Sequence, residues 1–274
     1  MNTKQILNNN NFIFKKKYGQ NFLLDQNILN NIVSLGNIED NTLVIEIGVG
    51  AAALTKKLSK KAKYVLGYEI DKTLETSLKE ILKENTNVDI IYDDFLNRNI
   101  NEDIKKYSYD KLMVVANLPY YITTPIITKF VEERIDVSKI VVMVQNEVAD
   151  RFSAKVGTKA YNSLTIFLNY YFDIRKAFVV SKNVFYPKPN VDSAVVVFDK
   201  KAKNYSVDNE ELFFKLVKDA FKQKRKTLKN NLKSYNLKII EEVLKQHDKN
   251  ITSRAENITI EEFVEISNEL NSNV

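Results

Sequence analysis

The tetrapeptide Asn117-Leu118-Pro119-Tyr120 directly follows an apolar run at residues 112–116. It places an amide, a turn stiffened by proline and an aromatic ring at the end of a segment with the composition of a buried strand. Amides hydrogen-bond amino groups, and aromatic rings stack on flat heterocycles. These residue types at this spacing indicate a site that holds an amino-bearing heterocycle, and hence chemistry on a nucleobase.

The segments around this tetrapeptide alternate between short apolar runs and stretches with helical spacing. Five of the runs are predicted to be buried strands, at residues 43–47, 64–70, 88–92, 111–116 and 140–144. Such alternation is typical of a mainly parallel sheet. Two further β-rich runs at 164–172 and 194–198, with Pro187 and Pro189 in the loop between them, are predicted to add strands at one edge.

The pattern changes beyond about residue 205. Apolar residues then recur at helical spacing with no strand-like run between them, as at Leu212, Leu216 and Ala220. We therefore predict a main domain over residues 18–204 and a small helical domain over 205–274. Residues 1–17 are predicted to be a mobile basic arm, because the asparagine run at 8–11 buries nothing that would offset its ordering entropy.

Polar residues stand at four successive strand ends, where open parallel sheets bind ligands. The first strand ends in Glu46-Ile47-Gly48-Val49-Gly50, whose glycines permit a tight turn and close backbone approach to a ligand. The second ends in Glu69-Ile70-Asp71, where an acid in such folds takes ribose hydroxyls. The third predicted strand ends in Asp93-Asp94-Phe95, and the fourth ends in the tetrapeptide. We assign Asp71 to capping the helix that follows it.

Composition excludes several kinds of chemistry. The 274 residues include no cysteine, so disulfides, thiol nucleophiles and thiolate metal sites are absent. A single histidine, His247, puts most zinc and non-haem iron sites out of reach, and we expect no metal. No apolar run reaches the length of about eighteen residues that a membrane span needs, and no secretory signal is visible. We expect a cytoplasmic protein.

The net charge of +6 is concentrated in two places. Residues 1–20 carry four lysines and no acid, and residues 221–233 also carry only basic charges. The cations of this second cluster that we assign to RNA phosphates are Lys222, Lys224, Arg225, Lys226 and Lys229. A solvated helix face is the alternative interpretation. We predict a helix over 223–228, and its lack of acids beside the aromatic Phe221 favours phosphate contact.

A glycine turn with a distal acid also fits a nicotinamide dinucleotide, with Ala53 as the third small residue. Hydride-transfer enzymes that act on alcohols usually need a histidine or a tyrosine–lysine pair, whereas His247 lies far downstream in the helical segment. Asp94 and Asn117 would also have no task. An adenosyl cofactor beside a separate base pocket uses all four strand ends.

Seven motifs carry a resemblance to a known family over nearly the whole chain. They are Tyr18-Gly19-Gln20-Asn21-Phe22-Leu23, Glu46-Ile47-Gly48-Val49-Gly50, Glu69-Ile70-Asp71, Asn117-Leu118-Pro119-Tyr120, Gln145 with Glu147-Val148-Ala149 and Arg151, Phe185-x-Pro187-x-Pro189-x-Val191-Asp192-Ser193, and Gln223-Lys224-Arg225-Lys226-Thr227-Leu228. In these the chain resembles the ribosomal RNA adenine N6-dimethyltransferases. The resemblance implies an α/β, Rossmann-like methyltransferase fold with a mainly parallel seven-stranded sheet and a small C-terminal all-helical domain that binds RNA.

The resemblance also implies roles for individual residues. An S-adenosylmethionine pocket would comprise Asn21, Leu23, Gly48, Glu69 on the ribose hydroxyls, Asp94 at the cofactor adenine, and Asn117. The target adenine would be held by Asn117, by the Leu118 carbonyl behind Pro119, and by stacking on Tyr120, with Phe185 as a second aromatic.

The chemistry of adenine N6 agrees with these roles. Its lone pair is delocalised into the ring, so two acceptors aimed at its hydrogens would pull it toward tetrahedral geometry and free that pair. The Asn117 side-chain oxygen and the Leu118 carbonyl can do this. Their dipoles and the face of Tyr120 would also stabilise the developing positive charge. Transfer would then depend on positioning, with no metal and no strong base.

The chain departs from the family pattern in its glycine turn and after its third strand. Val49 and Ala52 replace the usual proline and glycine, and Asp93 replaces a glycine. Ala52 is expected to restrict the backbone and to place a methyl group near the cofactor. Cofactor affinity is therefore the property that these departures would change.

The family divides by substrate. Leu118, Gly19 and Lys224-Arg225-Lys226 resemble the branch that dimethylates two adjacent adenines near the 3′ end of small-subunit ribosomal RNA. We expect a hairpin loop as the target, an immature small subunit as the partner, a role in subunit biogenesis and a monomeric enzyme. A large-subunit enzyme of the macrolide-resistance branch and an assembly factor with secondary catalysis are the competing hypotheses.

Overall fold

The computed structural model describes residues 21–202 and 205–273, so the predicted arm at 1–17 lies outside the described residues. The strands in this part of the chain are β1 (Phe22–Leu23), β2 (Thr42–Ile47), β3 (Tyr64–Tyr68), β4 (Val88–Ile91), β5 (Lys111–Asn117), β6 (Lys139–Gln145), β7 (Phe172–Val180), β8 (Phe185–Tyr186) and β9 (Ser193–Lys200). The helices are α1 (Gln26–Gly36), α2 (Thr55–Leu58), α3 (Glu75–Ile81), α4 (Ile100–Ile104), α5 (Thr123–Glu132), α6 (Asn146–Phe152), α7 (Ser163–Tyr171), α8 (Glu210–Ala220), α9 (Leu228–Asn231), α10 (Leu237–Gln246) and α11 (Ile260–Ser272).

Seven of the strands form one sheet in the order β4-β3-β2-β5-β6-β9-β7, and β1 pairs with β8 in a separate ribbon. Strands β2 to β6 run parallel, whereas β9 is antiparallel to β6. The aliphatic residues of β2, β5 and β6 are buried on both faces, as helices on either side of a parallel sheet require, whereas the edge strand β4 is only half-buried. The predicted mainly parallel, seven-stranded sheet is confirmed; all five predicted strands form, but the one at 88–92 is not buried, and the strand at 194–198 is also confirmed.

The predicted strand over 164–172 is wrong, because this segment forms helix α7. Asn162 caps the helix by accepting hydrogen bonds from the backbone of Leu164 and Thr165, and the Thr165 hydroxyl accepts from the Asn162 backbone in return. Ile166 and Tyr170 then bury themselves among helices rather than against the sheet. The chain becomes extended only at Phe172, where β7 begins.

The described residues divide into two compact units. The first contains residues 21–149 and Arg175–Lys200; the second contains Asp150–Ile174 and the chain from Lys201 onward. The predicted domain limit at residue 204 lies close to the division between Lys200 and Lys201. The predicted main domain over 18–204, however, includes Asp150–Ile174, which belongs to the second unit. Tyr161, Ile166 and Tyr170 explain it, since they pack in one core with side chains of α8 and α11. Among the described residues, no helix is long and apolar enough to cross a membrane.

Candidate active site

A cavity with about 770 Å³ of empty space, partly open to solvent, lies in the first unit at the carboxyl ends of β2, β3 and β5. Most of the predicted site residues line it, namely Asn21, Leu23, Gly48, Glu69, Asn117, Leu118, Pro119 and Tyr120. The structure therefore brings together residues that are up to 99 positions apart in the sequence (Tyr120 minus Asn21).

The glycine turn after β2 forms one wall of this cavity. Gly48 and Gly50 both have positive φ, at 81° and 55°, a conformation that glycine adopts without steric cost. A Cβ atom on Gly50 would lie 2.8 Å from a ring carbon of Phe22, so a larger residue would displace that ring. The backbone can therefore approach a ligand closely only because glycine occupies these positions.

Glu69 holds this turn in place. Its buried carboxylate accepts hydrogen bonds from the backbone nitrogens of Gly50 and Asp71, each at 2.8 Å. Burial raises the pKa of Glu69, and these two hydrogen bonds act in the opposite direction. A carboxylate has about four acceptor sites, so Glu69 can still accept a hydrogen bond from a ligand hydroxyl. Asp71 caps the 3₁₀ turn Lys72–Leu74, which confirms its predicted structural role.

Asp94 lies beside the main cavity rather than in it. It lines a second cavity of about 310 Å³ of empty space, which shares Gly48, Ile70 and Pro119 with the first. The Asp94 carboxylate also accepts a hydrogen bond from the Leu96 nitrogen at 3.0 Å and so starts the 3₁₀ helix Phe95–Asn97. Asp94, a predicted cofactor-binding residue, therefore lies near the other predicted cofactor-binding residues but lines the second cavity.

The tetrapeptide presents two hydrogen-bond acceptors. Asn117 is the last residue of β5, and its side-chain nitrogen donates to the Asn21 carbonyl at 3.2 Å. The Leu118 nitrogen donates to the Met143 carbonyl at 3.1 Å. Within residues 21–202 and 205–273, neither the Asn117 side-chain oxygen nor the Leu118 carbonyl accepts a hydrogen bond. Both oxygens can therefore accept a hydrogen bond from a bound group. The hydrogen bonds made by the Asn117 side-chain nitrogen and by the Leu118 backbone nitrogen hold the two residues in position.

Tyr120 is held from behind by Ser193, a residue for which no role is predicted from the sequence. The Tyr120 hydroxyl shares a 2.6 Å hydrogen bond with the hydroxyl of Ser193, which is fully buried at the start of β9. Burial also raises the pKa of Tyr120. The Thr123 hydroxyl donates to the Pro119 carbonyl at 3.1 Å, and α5 begins at Thr123. Ser193 ends the proline-bearing motif, which is the only sequence signal for it.

Phe185 does not line either cavity. It is 4% exposed and packs in the core cluster that includes Leu23, its partner in the β1–β8 ribbon. Alternation along β8 turns the next ring outward, so Tyr186 is 48% exposed. The structure thus separates Phe185 from the other predicted base-binding residues.

Glu46 lines the main cavity and was missed as a site residue. Its side chain is 1% exposed, and among the described residues its Oε2 atom has no hydrogen-bond partner. Burial raises the pKa of Glu46 to about 8; the nearby Thr55 side chain acts in the opposite direction, and the charge of Glu69 adds to the increase. A buried carboxylate without a partner is costly unless a cation or donor joins it. The sequence signal was its position directly before the glycine turn.

Ala52 corrects an expectation. Its methyl group does not face the cavity but packs in a buried cluster with Val49, Leu74 and Leu78, while Ala51 and Ala53 line the cavity. The backbone restriction is real, because Ala52 has a φ of 58°. The expected methyl group near the cofactor is wrong, since this left-handed conformation turns the side chain into the core.

The predicted helix over 223–228 is also wrong. These residues form turns between the end of α8 at Ala220 and the start of α9 at Leu228. The Asn231 side-chain nitrogen donates to the carbonyls of Ala220 and Gln223, which holds the chain away from a helical path. The five predicted RNA-binding cations are all exposed, namely Lys222, Lys224, Arg225, Lys226 and Lys229.

No group of three or more histidine, aspartate or glutamate side chains within residues 21–202 and 205–273 is arranged to hold a metal ion. The groups that line the main cavity are instead carboxylates, two asparagines, backbone carbonyls and aromatic rings. This set can bind amino groups, hydroxyls and a flat heterocycle.

Comparison with known proteins identifies relatives of the whole chain. The ribosomal RNA adenine dimethylase family matches residues 11–272. A "Ribosomal RNA small subunit methyltransferase A" of Bacillus pumilus is 47% identical over 98% of this chain and 95% of its own length, and that of Staphylococcus haemolyticus is 49% identical over 85% and 80%.

Two solved structures share the fold. A dimethyladenosine transferase from Plasmodium falciparum has a TM-score of 0.76 at 27% identity, covering 92% of this chain and 98% of its own. The 23S rRNA methyltransferase ErmE has a TM-score of 0.76 at 23% identity, covering 91% and 99%, and this similarity shows the fold alone. The fold, the tetrapeptide site and these full-length matches agree: the chain belongs to the ribosomal RNA adenine dimethylase family.

Proposed function

We propose that this protein transfers methyl groups from S-adenosylmethionine to N6 of two adjacent adenines in a hairpin loop near the 3′ end of small-subunit ribosomal RNA. The observation that carries the proposal is the pair of available acceptors, the Asn117 side-chain oxygen and the Leu118 carbonyl, beside the ring of Tyr120. Relatives named as small-subunit methyltransferases, at 44–49% identity, support the choice of branch.

The main cavity fits the cofactor on three counts. The buried Glu46 carboxylate would meet a cationic group, the glycine turn permits close backbone approach, and Glu69 would accept ribose hydroxyls. Asn21 and Leu23 would cover one side, and Asp94 would meet the adenine from the second cavity. S-adenosylmethionine, when bound, supplies an electrophilic methyl group on a sulfonium.

The residues of this chain would activate and position the acceptor base. Asn117 and Leu118 would accept the two N6 hydrogens and draw the nitrogen toward tetrahedral geometry, while Pro119 fixes their direction. Tyr120, held by Ser193, would stack on the ring and stabilise the charge that develops on N6. One hydrogen remains on N6 after a first transfer and loss of a proton, so a second transfer to the same atom is possible.

Phe185 has a different part in this proposal. Its ring would have to leave the core cluster to stack on a base, so we assign it to supporting Leu23, one of the residues beside the cofactor. The exposed cations at 222–229 would contact RNA phosphates. We further propose that the protein acts as a monomer, in the cytoplasm, on immature small subunits.

Methylation of isolated subunits tests the proposal. Small and large subunits that lack the modification are incubated with the protein and labelled S-adenosylmethionine, and the labelled nucleotide is mapped. We expect label only in the small subunit, as dimethyladenine at two adjacent positions. Label confined to the large subunit would instead assign the macrolide-resistance branch.

Two further experiments separate this function from that of an assembly factor and that of an oxidoreductase. An Asn117→Ala protein that loses methyl transfer but still restores subunit assembly would identify an assembly factor with secondary catalysis. Calorimetry with S-adenosylmethionine and with a nicotinamide dinucleotide distinguishes the methyltransferase from an oxidoreductase. Tight binding of the dinucleotide alone would overturn the proposal.

A further inference from the structure

We propose that residues 155–159, the basic turn, form part of the RNA-binding surface of the second unit together with residues 222–229, the basic segment. The inference rests on the proposed function, since it takes ribosomal RNA as the ligand. The basic turn is about 65 residues upstream of the basic segment and belongs neither to the seven motifs that carry the family resemblance nor to the predicted RNA contacts. Its place on this surface follows from contacts within the second unit.

The basic turn has a defined conformation. The nitrogen and the hydroxyl of Thr158 both donate to the Lys155 carbonyl, at 3.2 and 2.7 Å. Gly157 has a φ of 82°, which suits the third position of a type II turn, and no atom lies within 4 Å of the place where its Cβ would be. All five residues are exposed. The turn therefore projects as a fixed tip with open space around its glycine.

One contact joins the basic turn to the basic segment, and a second anchors the turn elsewhere in the second unit. The Lys224 ammonium donates to the Lys159 carbonyl at 2.8 Å, and the Gly157 nitrogen donates to the Glu256 carbonyl at 2.7 Å. Tyr161, just after the turn, is buried in the core of the second unit. The turn is therefore positioned before any ligand arrives, which lowers the entropy cost of binding.

The charges of the two segments favour a polyanion. The basic turn contains Lys155 and Lys159 and no acid, and the basic segment contains five cations and no acid. Of the neighbouring acids, the Glu256 carboxylate lies 4.0 Å from the Arg254 guanidinium, and Asp219 accepts a hydrogen bond from the Tyr235 hydroxyl at 2.7 Å. Seven cations thus share one surface, and each phosphate they neutralise releases counterions.

The apolar tip between the lysines favours RNA over a small anion. Val156 is 43% exposed although it is a β-branched aliphatic residue. A nucleic acid presents phosphates on either side of less polar sugar and base surfaces, so it offers a partner to Val156 as well as to the two lysines. A free phosphate would leave this side chain in water.

The salt dependence of RNA binding tests the inference. The double variant Lys155→Gln/Lys159→Gln is compared with wild type for binding to unmethylated small subunits over a series of salt concentrations. We expect the slope of log affinity against log salt to become shallower by about 1.4, from two lost contacts at about 0.7 each. The rate of methyl transfer at saturating subunit should be unchanged, and Lys155→Arg/Lys159→Arg should restore the slope.

A matched pair of exposed lysines provides the control. Lys238 and Lys245 lie on α10 of the same unit, among the acids Glu241 and Glu242. Lys238→Gln/Lys245→Gln should leave the slope unchanged. An unchanged slope in the Lys155/Lys159 variant, or an equal change in the control, would refute the role of the basic turn. If wild type itself neither binds nor methylates the small subunit, the proposed function fails instead.

Discussion

The cavity of the first unit and the basic surface of the second unit use polar groups in opposite ways. In the cavity the polar groups are few and buried or half-buried, and one or two hydrogen bonds fix them, as at Glu69 and Tyr120. On the basic surface, made of the basic turn and the basic segment, the cations are exposed and numerous. One region therefore depends on the placement of individual atoms, and the other on the number of charges.

The dielectric environment explains why the two regions should respond differently to substitution. Two unit charges 4 Å apart interact by about 1 kcal/mol in water but by about 4 kcal/mol at an effective dielectric constant of 20. Salt also screens exposed charges much more than buried ones. Substitutions in the cavity should thus have large, specific effects, and those on the basic surface should have small, additive and salt-dependent effects.

The largest effect is expected from Tyr120→Ala. Loss of stacking, about 1–3 kcal/mol per base, together with loss of the stabilising ring face, should lower kcat/KM by about 100-fold or more. Cofactor affinity measured by calorimetry should change less than about twofold, because Tyr120 faces the base rather than the cofactor in our proposal. Tyr120→Phe keeps the ring and loses only the hydrogen bond to Ser193, so it should keep most of the activity. An equal loss of cofactor binding in Tyr120→Ala would disprove the stacking role.

Glu46→Gln should alter the pH dependence of stability in the ligand-free protein. The folded-state pKa of about 8 lies above the ordinary value of 4.5, so the folded protein holds this proton more tightly than the unfolded chain. The stabilisation is complete below about pH 4.5 and is lost as the pH rises through about 8. Relative to the variant, the wild-type melting temperature should fall between about pH 5 and pH 9, as thermal denaturation would measure.

The exposed Glu39 is the matched control for Glu46. Glu39→Gln should leave the pH profile parallel to that of wild type, because its exposed ion pair with Lys111 contributes little to stability. A parallel profile for Glu46→Gln as well would show that the buried carboxylate does not titrate as its surroundings indicate.

A smaller and different effect is expected from Arg225→Gln/Lys226→Gln in the basic segment. The slope of log affinity against log salt should become shallower by about 1.4, with no change in the transfer rate at saturating RNA. Combination with the basic-turn variant should give the sum of the two slope changes. A loss of transfer rate that persists at saturating RNA would contradict the division between the two regions.

Ala52→Gly should have the smallest effect. Relief of the left-handed conformation gains about 1–2 kcal/mol, while the lost buried methyl group and the added chain entropy cost about 0.8 and about 0.5–1 kcal/mol. The net change in the free energy of unfolding should therefore be within about 1 kcal/mol, as denaturant titration would measure. Cofactor affinity should be unchanged because Ala52 does not line the cavity, and a clear gain in affinity would contradict this orientation.

Local hydrophobic pattern was sufficient to predict a strand where burial on both faces of the sheet was the main physical requirement. The runs that form β2, β5 and β6 are apolar on both faces, as strands in a covered parallel sheet are, so their prediction succeeded. It failed at 164–172, where aromatic and β-branched residues suit a buried helix and a strand equally well. The partners of that helix lie in α8 and α11, beyond the reach of any local pattern.

Residue types at short spacing were enough to identify the family, the parallel sheet and the tetrapeptide at the end of β5. The direction in which side chains face became known only from the folded chain. Folding turned Phe185 and Ala52 into the core, buried Glu46 at the cavity and placed the basic turn against Lys224. Spacing along the chain specifies the order of chemical groups, whereas their direction and their neighbours depend on contacts between distant segments.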